Sequence, residues 1–239
     1  MATTLSKLVE ALKNRVLSGL PRNELENILP RLEACTLEHR QMLVEAHEPI
    51  SHVHFPLSGV VSLVIATVNG ATVEVAMIGN EGMVGLPVLF GSGTAPIGAM
   101  VQVPGEALRM SAQAFRDQIE VPGVLVRRLH LHAEALFFQV AQSVTCMRHH
   151  SVGQRCARWL LTAHDRVGED EFPLTQEALA QMLGVRRASV SAAAGILQER
   201  GLIRYRRGIM TIIERAALER VSCECYRIIK AEYDRLLGG

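Results

Sequence analysis

The sequence predicts an α+β chain in three successive parts: an amino-terminal antiparallel β-roll, one long helix, and a carboxy-terminal pair of short helices followed by a hairpin. Three observations predict it. Between Arg40 and Met110, short β-rich runs alternate with Gly- and Pro-containing punctuation. After Pro122, apolar residues recur at steps of three and four. Leu174 to Ile203 reads LTQEALAQMLGVRRASVSAAAGILQERGLI, two Ala-rich helical patterns broken at one glycine.

At 239 residues and 49% hydrophobic, the chain has length and apolar content for two buried cores. The expected divisions are 1–121 for lead-in helices and β-roll, 122–150 for the long helix, 151–213 for the helix pair and hairpin, and 214–239 for a terminal helix. A net charge of +1 means that any affinity for a polyanion must come from a locally basic surface. Lys7, Lys13 and Arg15 lie on a polar, periodic segment without the apolar run of a secretory signal, so export is not expected. The longest uncharged stretch, between Glu81 and Glu106, contains six Gly and three Pro and reads as strands and turns, not a membrane span. Five cysteines without compact spacing fit a reducing cytoplasm.

Residues Leu5 to Leu32 show helical spacing in two pieces, separated at SGLP (Ser18 to Pro21). The strand candidates are HVHF, GVVSLVIATV, TVEVAMI, GAMVQV and EALRM, with VNGA (Val68 to Ala71) as a hairpin turn. Such a series suits an antiparallel roll or barrel. In the long helix, Val126, Leu129, Ala133, Leu136, Val140, Ser143 and Met147 form a heptad-like stripe, expected to be a seam with a second copy or with the helix's own domain. Leu125, Leu131, Phe137 and Phe138 lie off that stripe and are expected to pack on the roll.

Thr175 caps a predicted helix from Gln176 to Leu183, Gly184 supplies a turn, and Val190, Ala194 and Leu197 form the buried stripe of the next helix. Two short helices around such a turn are a helix-turn-helix, whose second helix enters the DNA major groove by its first residues. Gly184 to Gly208 holds six Arg against one Glu, a net of +5, whereas Ser151 to Leu183 holds three Arg and five acidic residues, a net of −2. LIRYRRGIMTII alternates like a hairpin with its tip near Arg207 and Gly208, a wing that would lay Arg204, Arg206 and Arg207 along phosphates. The expected DNA contacts are Arg186, Arg187, Ser189, Ser191 and Gln176, together with the three wing arginines.

This order of lead-in helices, roll, long helix and winged helix-turn-helix resembles the Crp/Fnr-type transcription regulators. The resemblance covers most of the chain and is strongest from Val152 to Ile213. It implies a homodimeric, cytoplasmic bacterial protein with a cyclic-nucleotide-binding-like jelly roll. It implies a palindromic double-stranded DNA operator, RNA polymerase as a partner, and a small-molecule effector. The seam Val126, Leu129, Ala133, Leu136, Val140 and Met147 then becomes the expected dimer interface.

Departures from the family pattern are informative. Cyclic-nucleotide-binding members carry a Gly-Glu pair for the ribose and an Arg-Ser pair for the phosphate. Here Leu86 follows Gly85, and no Arg occurs between Glu81 and Arg109. A buried phosphate without a cation is costly, so cyclic AMP is not expected to bind in the usual way. Gly85, Leu86, Pro87 and Ile97 are the expected effector pocket, and the apolar replacement suits a hydrophobic ligand, a closed pocket or no ligand. Of the family's Arg, Glu and later Arg on the recognition helix, only Arg187 matches; Ala188 and Ala192 stand at the other places and can meet a thymine methyl but form no base hydrogen bond.

Other chemistries fail on residues. Cys35 is the only cysteine before Cys146, which excludes the family's amino-terminal iron–sulfur pattern. Cys223 and Cys225 in SCECY suggest a thiol redox pair or soft-metal ligands, but on an unbroken helix residues two apart point about 200° from each other and can neither close on one ion nor form an unstrained disulfide. Leu218, Val221, Cys225 and Ile228 would then share one buried face. His52 and His54 resemble the HxH of a cupin metal enzyme without its following Glu. His149 with His150, and His130 with Glu134, are weaker candidates. No phosphate-binding loop, dinucleotide fingerprint or nucleophile elbow occurs. The expectation is a non-enzyme without cofactor or metal ligands.

Overall fold

The computed structural model describes residues 4–68 and 72–238. Lead-in helices α1 (Thr4–Ala11), α2 (Arg15–Ser18) and α3 (Arg22–Ile28) precede two antiparallel sheets. Asn14 caps α2, its Oδ1 accepting from Val16 and Leu17 N–H, while its amide donates to Pro56 and Gly82 carbonyls across the roll. Strands β1 (Glu33–Leu37), β7 (Gly105–Ser111) and β3 (His52–Pro56) pair in that order. The second sheet runs β2 (Met42–Val44), β6 (Gly98–Val103), β4 (Val60–Ala66), β5 (Thr72–Ile78). The five predicted runs are all strands; β1 and β2 are additional. The turn expected at VNGA falls at residues 69–71, outside the described residues.

Alternation along the second sheet explains its apolar runs. Val61, Ala76 and Ile78 join the roll interior, while Val60, Val64 and Met77 face the other way into the core of the carboxy-terminal domain. A strand covered on both faces reads as a continuous hydrophobic run.

Short helices α4 (Leu86–Leu89) and α5 (Ala112–Ile119) lead to the long helix α6 (Val124–His149). Then follow α7 (Val152–Val167), β8 (Glu171–Pro173), α8 (Gln176–Leu183), α9 (Arg187–Glu199), the hairpin β9 (Ile203–Arg206) and β10 (Ile209–Ile212), and helices α10 (Arg215–Val221) and α11 (Cys225–Leu237). Ser151 and Gln154 form a reciprocal capping box that starts α7. The terminal helix expected as one piece is two, broken at 222–224. Among the described residues, no helix is long and apolar enough to cross a membrane.

Helix α6 divides the expected seam between two environments. Leu129 is 0% and Leu136 8% exposed, both inside the roll core, and Ala133 and Val140 pack against it. Val126 is half-buried. The roll's own apolar interior covers these four, Leu129, Ala133, Leu136 and Val140. The apolar residues α6 leaves open are Phe137 at 76%, Val144 at 61% and Met147 at 48%. Of the off-stripe residues, Leu125 packs on the roll and Leu131 on α11, whereas Phe137 faces out.

A buried ion pair ties roll, helix and carboxy-terminal domain together. Arg166 at the end of α7 donates from Nη2 to Glu81 at 2.7 Å, and from Nε at 3.0 and 3.1 Å to the same carboxylate. Both side chains are 6% exposed. Burial alone would raise the Glu81 pKa; the Arg166 charge and hydrogen bonds overcome it and hold Glu81 below the ordinary carboxylate range. Gln139 of α6 lies 3.4 Å from Arg166 Nη2, and its amide donates to Met77 O at 3.0 Å. The flanking glycines are required by close approach: a Cβ on Gly79 would lie 2.4 Å from Arg166 Cγ, and one on Gly82 2.1 Å from His132 Cε1.

Arg166→Met should therefore destabilise the chain by about 3–5 kcal/mol, because it strands a buried carboxylate. Arg166→Met combined with Glu81→Leu should recover most of that loss. Chemical denaturation of the three proteins checks both statements.

Candidate functional site

The helix-turn-helix forms as its residues dictate. Thr175 Oγ1 accepts from Ala178 N–H at 3.0 Å, and Gly184 ends α8 at φ +62°. Arg186 is the residue before the first turn of α9, and Arg187 begins it. Val190, Ala194 and Leu197 are buried beneath, together with Ala193. Arg186, Arg187, Ala188 and Ala192 are exposed; Ser189 and Ser191 are half-buried. The wing closes through Arg207 at φ +53° and Gly208 at φ +82°, a two-residue turn with both residues left-handed. Arg204, Arg206 and Arg207 are exposed around it, and β8 adds a third strand in the order β8-β10-β9.

The eight expected DNA contacts therefore lie on α8, α9 and the wing, but they are not equally free. Ser191 Oγ donates to Gln176 Oε1 at 2.6 Å, so these two bind each other. Arg187 Nε lies 3.9 Å from Glu177 across an exposed surface, a weak restraint. Sequence reasoning missed Tyr205, whose hydroxyl accepts from Gln176 N–H at 3.1 Å and whose own N–H donates to Gln198 Oε1 at 2.7 Å. Tyr205 joins the wing to the start of α8 and the end of α9. Its place in the alternating RYR was the available signal.

Within the roll lies a cavity of about 500 Å³. Gly85, Leu86, Pro87 and Ile97 all line it, together with Val44, Leu63 and Met83. Helix α6 closes one side with Ala133, Leu136, Phe137 and Val140, a wall that the sequence did not reveal. Among the described residues, Ser92 and Thr94 are its only side chains with polar groups, and no charged residue lines it. Gly85 adopts φ +104° against Val53, a conformation that favours glycine.

The histidine expectations resolve separately. His54 is buried, and burial first, then His52 and Arg109, lower its pKa to about 4. It stays neutral at ordinary pH. His52 bonds Ser51 at 3.0 Å. No third ligand joins these two among the described residues. His132 is fully buried, and burial lowers it to about 4 as well, which suits Nε2 accepting from Met83 N–H at 3.2 Å.

The thiols contradict the unbroken-helix premise. Because the chain turns at 222–224, Cys223 and Cys225 do not diverge; both face Cys146 and His150 at the end of α6. The break was hidden, since SCECY contains neither Gly nor Pro.

An antiparallel roll joined through a long helix to a winged helix-turn-helix with an exposed arginine face defines a two-domain transcription regulator. Residues 35–121 match the cyclic nucleotide-binding domain family and residues 154–221 the Crp-like helix-turn-helix domain family. The chain belongs to the Crp/Fnr type of transcription regulators, which combine these two domains in this order. Three solved structures are similar in fold. FixK2 from Bradyrhizobium japonicum is 14% identical, with a TM-score of 0.67 over 80% of this chain and 98% of its own. A CRP-family regulator from Thermus thermophilus is 16% identical, with a TM-score of 0.65 over 79% and 96%. The c-di-GMP-responsive global regulator CLP from Xanthomonas campestris is 16% identical, with a TM-score of 0.60 over 81% and 99%. No curated protein matches the chain in sequence.

Glu74 on β5 meets the DNA-binding domain directly: Trp159 Nε1 donates to Oε1 at 3.0 Å, and Ser62 Oγ donates to Oε2. Burial raises its pKa to about 7, against the opposing effects of Ser62, Arg158 and Trp159. An unfolded Glu gives up its proton near 4.5, so ionising the folded one costs stability as pH rises from there to about 7. Stability from this group is greatest below that window and least above it. Glu74→Gln should accordingly flatten the fall in thermal stability between about pH 5 and about pH 8, measured by calorimetry at each pH.

Proposed function

We propose that the chain is a homodimeric, sequence-specific DNA-binding regulator whose roll responds to an apolar small molecule and not to cyclic AMP. The observation that carries the DNA reading is the set of five exposed arginines on the recognition helix start and the wing. Residues 1–121 would sense, 122–150 pair the subunits, 151–213 read DNA, and 214–239 return along the long helix. In this reading Arg187, with Arg186, Ser189 and Ser191, faces bases, whereas Arg204, Arg206, Arg207 and Gln176 face backbone.

The effector reading rests on the cavity. Its apolar lining and missing cation disfavour a cyclic phosphate and favour a hydrocarbon-rich ligand. Because Phe137 both lines the cavity and projects from α6, a bound ligand would bear on the apolar strip Phe137, Val144 and Met147 proposed here as the subunit contact. Two winged domains so paired would address half-sites about 34–36 Å apart.

Arg187→Ala should weaken binding to a selected operator by about 1–3 kcal/mol and relax one symmetric base position. Arg206→Ala should weaken all sequences alike and make the salt slope shallower by about one unit for each phosphate that is no longer neutralised. Titrations on operator, single-base variants and random DNA at several salt concentrations separate the two. If Arg187→Ala weakened every sequence equally, the base-reading assignment would fail. Phe137→Asp should release monomers in sedimentation; an unchanged dimer would remove the proposed contact. Calorimetry with cyclic AMP should give no saturable heat.

A further inference from the structure

Four soft or borderline ligands meet where α6 ends and the α10–α11 break begins. Cys146 and His150 come from the last turn of α6 and its cap, Cys223 and Cys225 from the break, and their ligating atoms all lie within 4.8 Å of one another. The three cysteines are buried and the His150 side chain is 12% exposed. We propose that these residues form a tetrahedral Cys₃His metal site that binds one Zn²⁺ per chain. The proposal rests on this geometry and not on the DNA-binding reading.

Spacing supports a single tetrahedral ion. Bonds of about 2.3 Å to sulfur and about 2.0–2.1 Å to nitrogen separate two sulfur ligands by about 3.8 Å, and sulfur from nitrogen by about 3.6 Å. Cys146 Sγ and Cys223 Sγ are 3.5 Å apart, and Cys225 Sγ is 3.6 Å from His150 Nδ1. All three thiols are free, whereas a disulfide would bring two sulfurs to about 2.05 Å. Four ligands this close leave room for one ion, and three thiols with one imidazole are a structural zinc set; iron–sulfur clusters are held by four thiolates in most proteins.

The surroundings are those of a ligand set and exceed what packing requires. His150 turns Nδ1 toward the thiols and Nε2 toward the Glu224 carboxylate at 3.1 Å, so the carboxylate orients the ring and fixes the tautomer that leaves Nδ1 free to bind. Glu224 stands between the two cysteines, and Cys-Glu-Cys thus supplies two ligands and an orienting group in three residues. Gln142 Nε2 donates to Cys225 Sγ at 3.2 Å, as an amide does for a thiolate. Zn²⁺ with three thiolates carries one negative charge; the neighbouring Arg155 and Arg158 guanidiniums, each with a buried Nε lacking a hydrogen-bond partner, balance it. On binding, each thiol that still carries a proton releases it to solvent, a protonated His150 releases the one on Nδ1, and the ring keeps its proton on Nε2.

The test is titration of the reduced, metal-stripped full chain with Co²⁺ and then Zn²⁺. One equivalent of Co²⁺ should produce thiolate-to-metal charge-transfer and tetrahedral ligand-field absorption, both abolished by one equivalent of Zn²⁺. Cys146→Ser and Cys223→Ser should lose these bands, and Cys35→Ser, outside the cluster, should keep them. Glu224→Gln should keep the spectrum and weaken affinity about 10–100-fold. Absence of saturable uptake by the reduced wild-type chain, which needs no variant to fold, would overturn the proposal. So would undiminished uptake by Cys223→Ser/Cys225→Ser, or a chain that forms a Cys146–Cys223 disulfide on mild oxidation yet never takes up metal.

Discussion

The Glu81–Arg166 pair is the constraint around which the parts are arranged. Glu81 belongs to the turn after β5, Arg166 to the helix that opens the DNA-binding domain, and Gln139 beside them to α6. Neither charge is tolerable alone in that interior, so the three elements must meet in one geometry or pay for an unpaired ion. Gly79 and Gly82 follow from it: the turn lies flat against the Arg166 stem and the His132 ring, where a side chain would collide. The apolar packing around the pair, from Val60, Met77 and Val103 to Leu160 and Leu179, is non-directional and does not by itself select this docking.

Helix α6 serves two environments. One side completes the roll and closes the cavity with Ala133, Leu136 and Val140; another carries Phe137 and Val144 into solvent. The cavity wall therefore belongs to the same helix that holds Gln139 at the ion pair and Cys146 at the thiol cluster. Coupling through such a helix requires no long chain of intermediates, only a second stable position of the rod.

Much of this architecture was legible in the sequence. Strands announced themselves by alternation and turn residues, and the helix-turn-helix by Thr175, Gly184 and the stripe Val190, Ala194, Leu197. The wing was marked by arginines around a glycine. Gly85, Leu86, Pro87 and Ile97 line one cavity. Two features were not legible, for different reasons. The spacing of Leu129 and Leu136 shows that α6 has an apolar stripe but carries no information on what covers it, and the chain's own roll does so. The cluster of Cys146 with Cys223 and Cys225 joins residues 77 positions apart across a helix break without a breaker residue. Local periodicity has no access to either fact.

Helix α11 runs back along α6 from the thiol cluster to the opposite end, where Arg128 Nη2 donates to Leu237 O at 2.8 Å and to Arg15 O at 2.7 Å. Arg15 meets Asp234 at 3.0 Å and also donates to the Gly238 carbonyl. The last helix is thus moored to the first ones, and the polypeptide forms a mechanical circuit. Load applied to the wing need not travel only down α6; it has a return path through α10 and α11 to α2. A fusion or deletion at the carboxy-terminal helix would disturb the amino-terminal helices, some 220 residues distant in sequence but adjacent in space.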